Sequence, residues 1–159
     1  MIKFLKFDNI IFAKRENIDM QELIINNIKE MKKFAYDFSK TLQGGEVILL
    51  NGDLGAGKTT FVQFVLEKLG VKEPVSSPSF TIMKTYKTDK FNFYHFDMYR
   101  IEDETETYEL GFEDYIQNSP TDIVFIEWSE RVLDLLDKTV CKTITIERID
   151  ENKRKVRID

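Results

Sequence analysis

The sequence predicts an α/β fold: a mainly parallel central sheet flanked by helices, with antiparallel hairpins added to it. Three observations carry this prediction. An apolar run, Val47–Leu50, leads directly into Gly52-Asp-Leu-Gly-Ala-Gly-Lys-Thr59, and an amphipathic segment follows to Leu69-Gly70. The loop satisfies the Gly-x-x-x-x-Gly-Lys-[Ser/Thr] pattern in its required context, after a strand and before a helix. A second apolar run, Ile123–Ile126, ends in the carboxylate of Glu127, as a buried parallel strand does when it aims an acid at a site. Two pairs of short alternating segments, around 80–97 and 143–158, are separated by turn residues and read as hairpins. Together these features define a P-loop NTPase-like architecture. At 159 residues the chain fits a single domain with a real core.

In chain order, residues 1–15 predict one or two short edge strands centred on Ile10-Ile11-Phe12 and otherwise read as an N-terminal extension. Asp19 and Glu22 form an Asp-x-x-Glu capping box, so a long helix is expected next. Its apolar stripe is Leu23, Ile24, Ile28, Met31, Phe34, Ala35, Phe38 and Leu42, and Gly44-Gly45 ends it. This helix reads as a packing layer against the sheet. After the phosphate loop and its helix, the prolines and serines between Val71 and Phe80 forbid a helix and predict an ordered loop. A strand from Phe80 to Tyr86, a turn at Thr88-Asp89-Lys90 and a strand from Phe91 to Asp97 form the first hairpin. Alternation puts Phe91, Phe93, His95 and Asp97 on one face of its second strand, and Asn92, Tyr94 and Phe96 on the other. Residues 102–118 predict mixed helix and turn. From Asp97 to Asp137, thirteen acids stand against two bases, Arg100 and Arg131. Such a run is a solvated face or, through charge complementarity, an acidic docking surface. A short helix is expected over Arg131–Asp137, and Thr143–Arg148 with Arg154–Ile158 closes the chain as a hairpin.

Composition narrows the function. A net charge of −5 argues against a broad electrostatic grip on DNA or tRNA, and leaves room for a protein that serves nucleic-acid chemistry through partners. The single cysteine, Cys141, makes neither an internal disulfide nor a zinc site and reads as a buried structural thiol. No apolar run suits a signal peptide or a membrane span, so a cytoplasmic protein is expected.

The chemistry concentrates in three places. Gly52, Gly55 and Gly57 let the loop fold tightly and point several N–H groups at one anion. The helix beginning near Lys58 adds unsatisfied amides and the positive end of its dipole. Lys58 places a charge between β- and γ-phosphates, and the Thr59 hydroxyl is the expected ligand of Mg²⁺. Glu127 stands where P-loop proteins keep the acid that holds or orients that ion. Trp128, directly after it, reads as core or rim packing. The third place is Tyr94-His-Phe-Asp-Met-Tyr-Arg100. Asp97 is suited to orient a water, accept a proton or reach the Mg²⁺ shell. Arg100 is suited to an acid or a phosphate. His95, the only histidine, reads as a hydrogen-bonded structural residue.

With these residues in view, the sequence resembles the TsaE (formerly YjeE) family of small bacterial P-loop ATPases, which are needed for threonylcarbamoyladenosine modification of tRNA. The resemblance rests on Gly52–Phe61, Val75–Thr81, Tyr94–Arg100, Glu109–Tyr115 and Ile126–Glu130, in the family's order. The His-Phe-Asp-x-Tyr-Arg block and the Glu127-Trp128 pair are the specific parts. The resemblance implies Mg²⁺-dependent ATP hydrolysis and action with two partner proteins, TsaB and TsaD, the latter being the transferase that modifies the adenosine beside the anticodon. tRNA would be met only through that complex. Gly52, Gly55, Ala56, Gly57, Lys58, Thr59 and Thr60 would hold ATP, with Trp128 close to it. Thr59 and Glu127 would hold Mg²⁺, and Asp97 would be the acid needed for hydrolysis, with Lys58 and Glu127 assisting. Ser79 stands where the family usually has Thr, and Ser129 where it usually has Pro. Two other readings share the loop. A small-molecule kinase would need an arginine-rich lid, where this chain is acidic. A nucleotide-gated binding module would hydrolyse ATP only incidentally.

Overall fold

The computed structural model describes residues 6, 7, 10, 11, 21–103, 105–117 and 119–159. The strands are β1 (Lys6–Phe7), β2 (Ile10–Ile11), β3 (Gln21–Ile25), β4 (Val47–Asn51), β5 (Met83–Lys87), β6 (Asn92–Asp97), β7 (Asp122–Glu127), β8 (Cys141–Arg148) and β9 (Arg154–Ile158). The helices are α1 (Ile28–Ser39), α2 (Lys58–Leu69), α3 (Thr105–Glu109) and α4 (Phe112–Tyr115). β1 and β2 pair only with each other, while the remaining seven strands form one sheet in the order β3-β9-β8-β4-β7-β6-β5. The inner pairings β8·β4, β4·β7 and β7·β6 are parallel, and the outer ones are antiparallel. This is the expected sheet, with its hairpins at both margins.

Parallel pairing explains the residues of β4. A strand covered on both faces has no solvent side to alternate with, and Val47 through Leu50 are all buried. Ile48 and Leu50 join a core under α1 and α2, while Val47 and Leu49 join a second core on the opposite face. The first core centres on Phe61, with Phe34 and Phe38 each 5.4 Å from it. In the second, Phe96 meets Phe112 edge to face at 5.1 Å and Tyr115 packs beside it. The predicted alternation of β6 holds: Phe93 lies in the first core and Phe96 in the second.

Four expectations are corrected. Leu23 and Ile24 do not open a helix but lie in β3, where Leu23 and Ile25 are buried and Ile24 is half exposed. That is period two, and antiparallel pairing to β9 fixes it. Asp19 lies outside the described residues. The cap that forms is Asn27, whose Oδ1 accepts from the amides of Lys29 and Glu30 at 3.0 and 3.1 Å, while the Glu30 carboxylate reaches back to the Asn26 amide at 2.8 Å. Second, β5 begins at Met83 rather than Phe80. Residues Pro78–Ile82 turn instead, with Ile82 in the left-handed region (φ 65°) and its amide bonded to Pro78 O at 2.6 Å. Third, the stretch after β7 forms separate 3₁₀ turns at Ser129–Arg131, Leu133–Leu135 and Lys138–Val140 rather than one helix. Fourth, Cys141 is only half buried: it starts β8 beside the last of those turns, and its thiol donates to Asp137 O at 3.3 Å. Phe12, expected as part of an edge strand, lies outside the described residues. The acidic run is a largely exposed surface over α3 and α4, with Glu109, Glu113 and Asp114 all exposed. Among the described residues no helix is long and apolar enough to cross a membrane.

Candidate functional site

The C-terminal ends of parallel strands β4, β7 and β6 lie side by side, with Leu50 opposite Glu127 and Glu127 opposite Asp97. Crevices at such ends are the common binding places of α/β sheets. From β4 the chain passes through the glycine loop into α2. Gly52 (φ 144°) crosses so near β8 that a Cβ there would lie 2.3 Å from Ile146 O. Gly57 (φ 113°) is the N-cap of α2 and offers no side-chain acceptor, so the first-turn amides stay available to an anion.

Around the loop lies a cavity of about 290 Å³. Gly55, Gly57, Lys58, Thr59, Thr60, Asp97, Glu127 and Trp128 line it, with Leu54, Ser77, Ser79 and Tyr99. The Lys58 ammonium bends back onto the loop, donating to Gly52 O and to Asp53 O at 3.0 Å. It lies 4.4 Å from the centre of the Trp128 ring. Burial pushes its pKa below the ordinary lysine value, against the pull of the Glu127 and Asp97 carboxylates. Trp128 has left-handed backbone (φ 57°), and its ring packs on Tyr99 at 5.0 Å. Glu127 Oε1 accepts from the Thr59 hydroxyl at 2.8 Å and from His95 Nε2 at 2.8 Å. Asp97, unlike Glu127, is engaged at both oxygens: Oδ2 accepts from the Ser77 hydroxyl at 2.9 Å and Oδ1 from the Tyr99 amide at 3.0 Å. Ser77 and Ser79 share a hydrogen bond of 2.6 Å, so the serine loop docks directly on this acid.

Most of the sequence-selected residues therefore meet in one place. Gly52 and Ala56 do not line this cavity: Gly52 packs under the loop against β8, and Ala56 lines a second, adjoining cavity of about 170 Å³. Neither candidate arginine reaches the site. Arg131 donates to Ile101 O at 2.9 Å, and Arg100 lies over the exposed Phe80 ring. Lys58 is thus the only basic side chain lining the larger cavity among the described residues. Sequence reasoning missed Arg154, whose Nε donates to Ala56 O at 2.7 Å and whose Nη1 holds the Asp150 and Lys153 carbonyls, each at 2.9 Å. It also missed the tie from His95 to Glu127. Ser129, the departure from the family pattern, is fully buried and donates to Asn51 Oδ1 at 2.8 Å, joining the end of β4 to the turn after β7.

A parallel sheet, a glycine loop entering a helix, and an acid from the neighbouring strand bonded to the loop's threonine define a P-loop NTPase-like protein. The sequence model of the family described as "Threonylcarbamoyl adenosine biosynthesis protein TsaE" matches residues 25–156, and the chain belongs to that family. Similar proteins share this name in the form "tRNA threonylcarbamoyladenosine biosynthesis protein TsaE". One from Rickettsia felis is 41% identical over 83% of this chain and 75% of its own length. One from Aquifex aeolicus is 41% identical over 87% of this chain and 96% of its own length. The crystal structure of Bacillus subtilus YdiB superposes with a TM-score of 0.70 at 27% identity, covering 91% of this chain and 87% of that one.

Proposed function

We propose that this chain is a Mg²⁺-dependent ATP hydrolase that acts in the cytoplasm with the TsaB and TsaD proteins in forming threonylcarbamoyladenosine on tRNA. The observation that carries this reading is the meeting of Lys58 and Thr59 with Glu127 and Asp97 in one cavity at the strand ends. The α2 amides and Lys58 would bind the β- and γ-phosphates, with Lys58 exchanging its two loop carbonyls for phosphate oxygens. The adjoining cavity suits the nucleoside. Ile28 and Met31 offer apolar surface to a planar base, while Asn27, Asn152 and Arg154 offer polar groups to its edge and the ribose. Gly55, Gly57 and Thr60 line both cavities, so one ligand can run from one to the other across the loop.

Thr59 Oγ1 and the Glu127 carboxylate would hold Mg²⁺, being hard oxygen donors joined at 2.8 Å. Among the described residues no group of three or more His, Cys, Asp or Glu side chains could hold a metal by itself, and Mg²⁺ ordinarily completes its shell with phosphate and water. When bound, the ion neutralises charge developing on the phosphate oxygens. Asp97 would orient the attacking water. Its Oδ2 now accepts from Ser77, so the serine loop either yields that lone pair or shares the oxygen with the water.

With Lys58 the only basic side chain lining the larger cavity among the described residues, turnover by the isolated chain should be slow. Arginine fingers contribute about 10³–10⁵ in rate elsewhere, and here one would come from a partner. The test is phosphate release from ATP by the chain alone, with TsaB and TsaD added, and with Asp97→Ala. Stimulation by the partners and loss in the variant are expected. Label from ATP appearing on an organic acceptor would instead establish a kinase. Full tRNA modification by an Asp97→Ala chain that binds but does not hydrolyse ATP would establish a binding module.

A further inference from the structure

We infer that His95 is a positioning residue that fixes the orientation of the Glu127 carboxylate, so that one oxygen stays turned to the cation, an inference that rests on the nucleotide reading above. The imidazole is fully buried, and its Nε2 lies 2.8 Å from Glu127 Oε1. A carboxylate only accepts hydrogen bonds, so Nε2 carries the proton that is shared. The Thr59 hydroxyl donates to the same oxygen at 2.8 Å. Oε1 thus holds both donors, while Oε2 receives no hydrogen bond from the described residues and belongs to a side chain that lines the cavity. Rotation about the last side-chain bond would turn the plane of the carboxylate and swing that unbonded oxygen away from the cavity. A donor fixed on β6, paired on both sides within the sheet, opposes that turn and keeps the unbonded oxygen toward the place of the ion.

Packing alone does not account for a histidine here. Nδ1 is buried and has no hydrogen-bond partner among the described residues. Alternation along β6 puts the ring on the face of Phe93, in the layer under α2. An unpartnered buried nitrogen lowers stability, so a side chain chosen only to fill this space would be apolar. What the ring supplies is its Nε2–H. Partners that orient a ligating group in this way commonly affect the affinity for the metal. His95 and Asp97 share one face of β6, and the register sets Asp97 opposite Glu127. A single strand therefore carries both the residue that orients one acid and the other acid of the site.

The test compares full chains carrying His95→Met, His95→Gln and His95→Asn. ADP affinity is measured by calorimetry in EDTA and over a series of free Mg²⁺ concentrations, beside thermal melts. In His95→Met, ADP affinity in EDTA and melting temperature should stay near wild type, while the Mg²⁺ needed to enhance ADP binding rises about 10–100-fold. His95→Gln brings an amide N–H close to the place of Nε2 and should restore most of the loss. His95→Asn puts its amide near the place of Nδ1 and should not. An unchanged Mg²⁺ requirement in His95→Met overturns the inference, as does a parallel fall of ADP affinity in EDTA. Should the Met variant not fold, the Gln and Asn variants decide the matter between themselves, and equal Mg²⁺ requirements for those two overturn it. A wild-type chain that binds no ADP under either condition overturns the nucleotide reading itself, and this inference with it.

Discussion

The proposed function gives Glu127 two tasks, and two substitutions separate them. In Glu127→Gln the amide oxygen can take the place of Oε1 and accept from Thr59 and His95, both now at 2.8 Å. The amide nitrogen then takes the place of Oε2, and a nitrogen that carries two hydrogens does not ligate a cation. Glu127→Ala instead removes the acceptor altogether and strands the Nε2–H of a side chain with no exposure. An orphaned buried donor costs about 1–3 kcal/mol. In a chain of this size each kcal/mol shifts the melting temperature by about 2–4 °C, so the Ala variant should melt roughly 2–12 °C below the Gln variant. On the proposed function, ATP turnover should fall by at least about 10²-fold in both, because each would lose the oxygen proposed to stabilise developing charge through the ion. Circular-dichroism melts without nucleotide and phosphate-release assays with Mg²⁺ measure the two effects. Equal melting of the two variants would refute the anchoring of His95 by Oε1. Mg²⁺-dependent hydrolysis surviving in Glu127→Gln would refute the assignment of Oε2 to the cation.

Three further outcomes follow from the geometry. Arg154→Met removes the donor to Ala56 O at 2.7 Å, a charge-assisted bond of about 1.5–3 kcal/mol, so both the melting temperature and ADP affinity should drop. A chain that melts lower yet binds ADP as before would show that the clamp holds only the β8–β9 turn. Gly52→Ala places a methyl group 2.3 Å from Ile146 O on a left-handed backbone, where strain alone costs about 1–3 kcal/mol, so the urea midpoint should fall, and an unchanged midpoint contradicts the close approach. Burial pushes the Cys141 thiol above its ordinary value, so the folded chain keeps that proton to higher pH than the unfolded chain does. Its share of stability is therefore full below the ordinary thiol value and lost as pH rises through the folded one. Near the ordinary value, iodoacetamide should alkylate native protein more slowly than protein in urea, and equal rates would count against the shift.

How legible each part was depends on how local its cause is. The strand–loop–helix of residues 47–69 is contiguous, and its glycines, lysine and threonine state their geometry without help from elsewhere. β7 announced itself through an apolar run ending in an acid, and β6 through alternation. β3 did not. Leu23-Ile24-Ile25 satisfies a helical stripe as readily as a strand, and only β9, far along the chain, settles the period. The 3₁₀ turns from Ser129 onward escaped for a similar reason: the buried Val132 and Leu136, which follow successive turns, stand four residues apart, a spacing that a single helix shares.

From sequence alone came the type of fold, the phosphate loop, the two acids and the family resemblance, since each resides in a short run of residues whose spacing is itself the constraint. Tertiary structure alone decided what those groups touch. Ser77 reaches Asp97 across 20 residues, His95 reaches Glu127 across 32, and Arg154 reaches Ala56 across 98. No local pattern encodes such contacts. They exist because parallel pairing brings the ends of β4, β6 and β7 together, and because β9 folds back beside the loop that β4 releases.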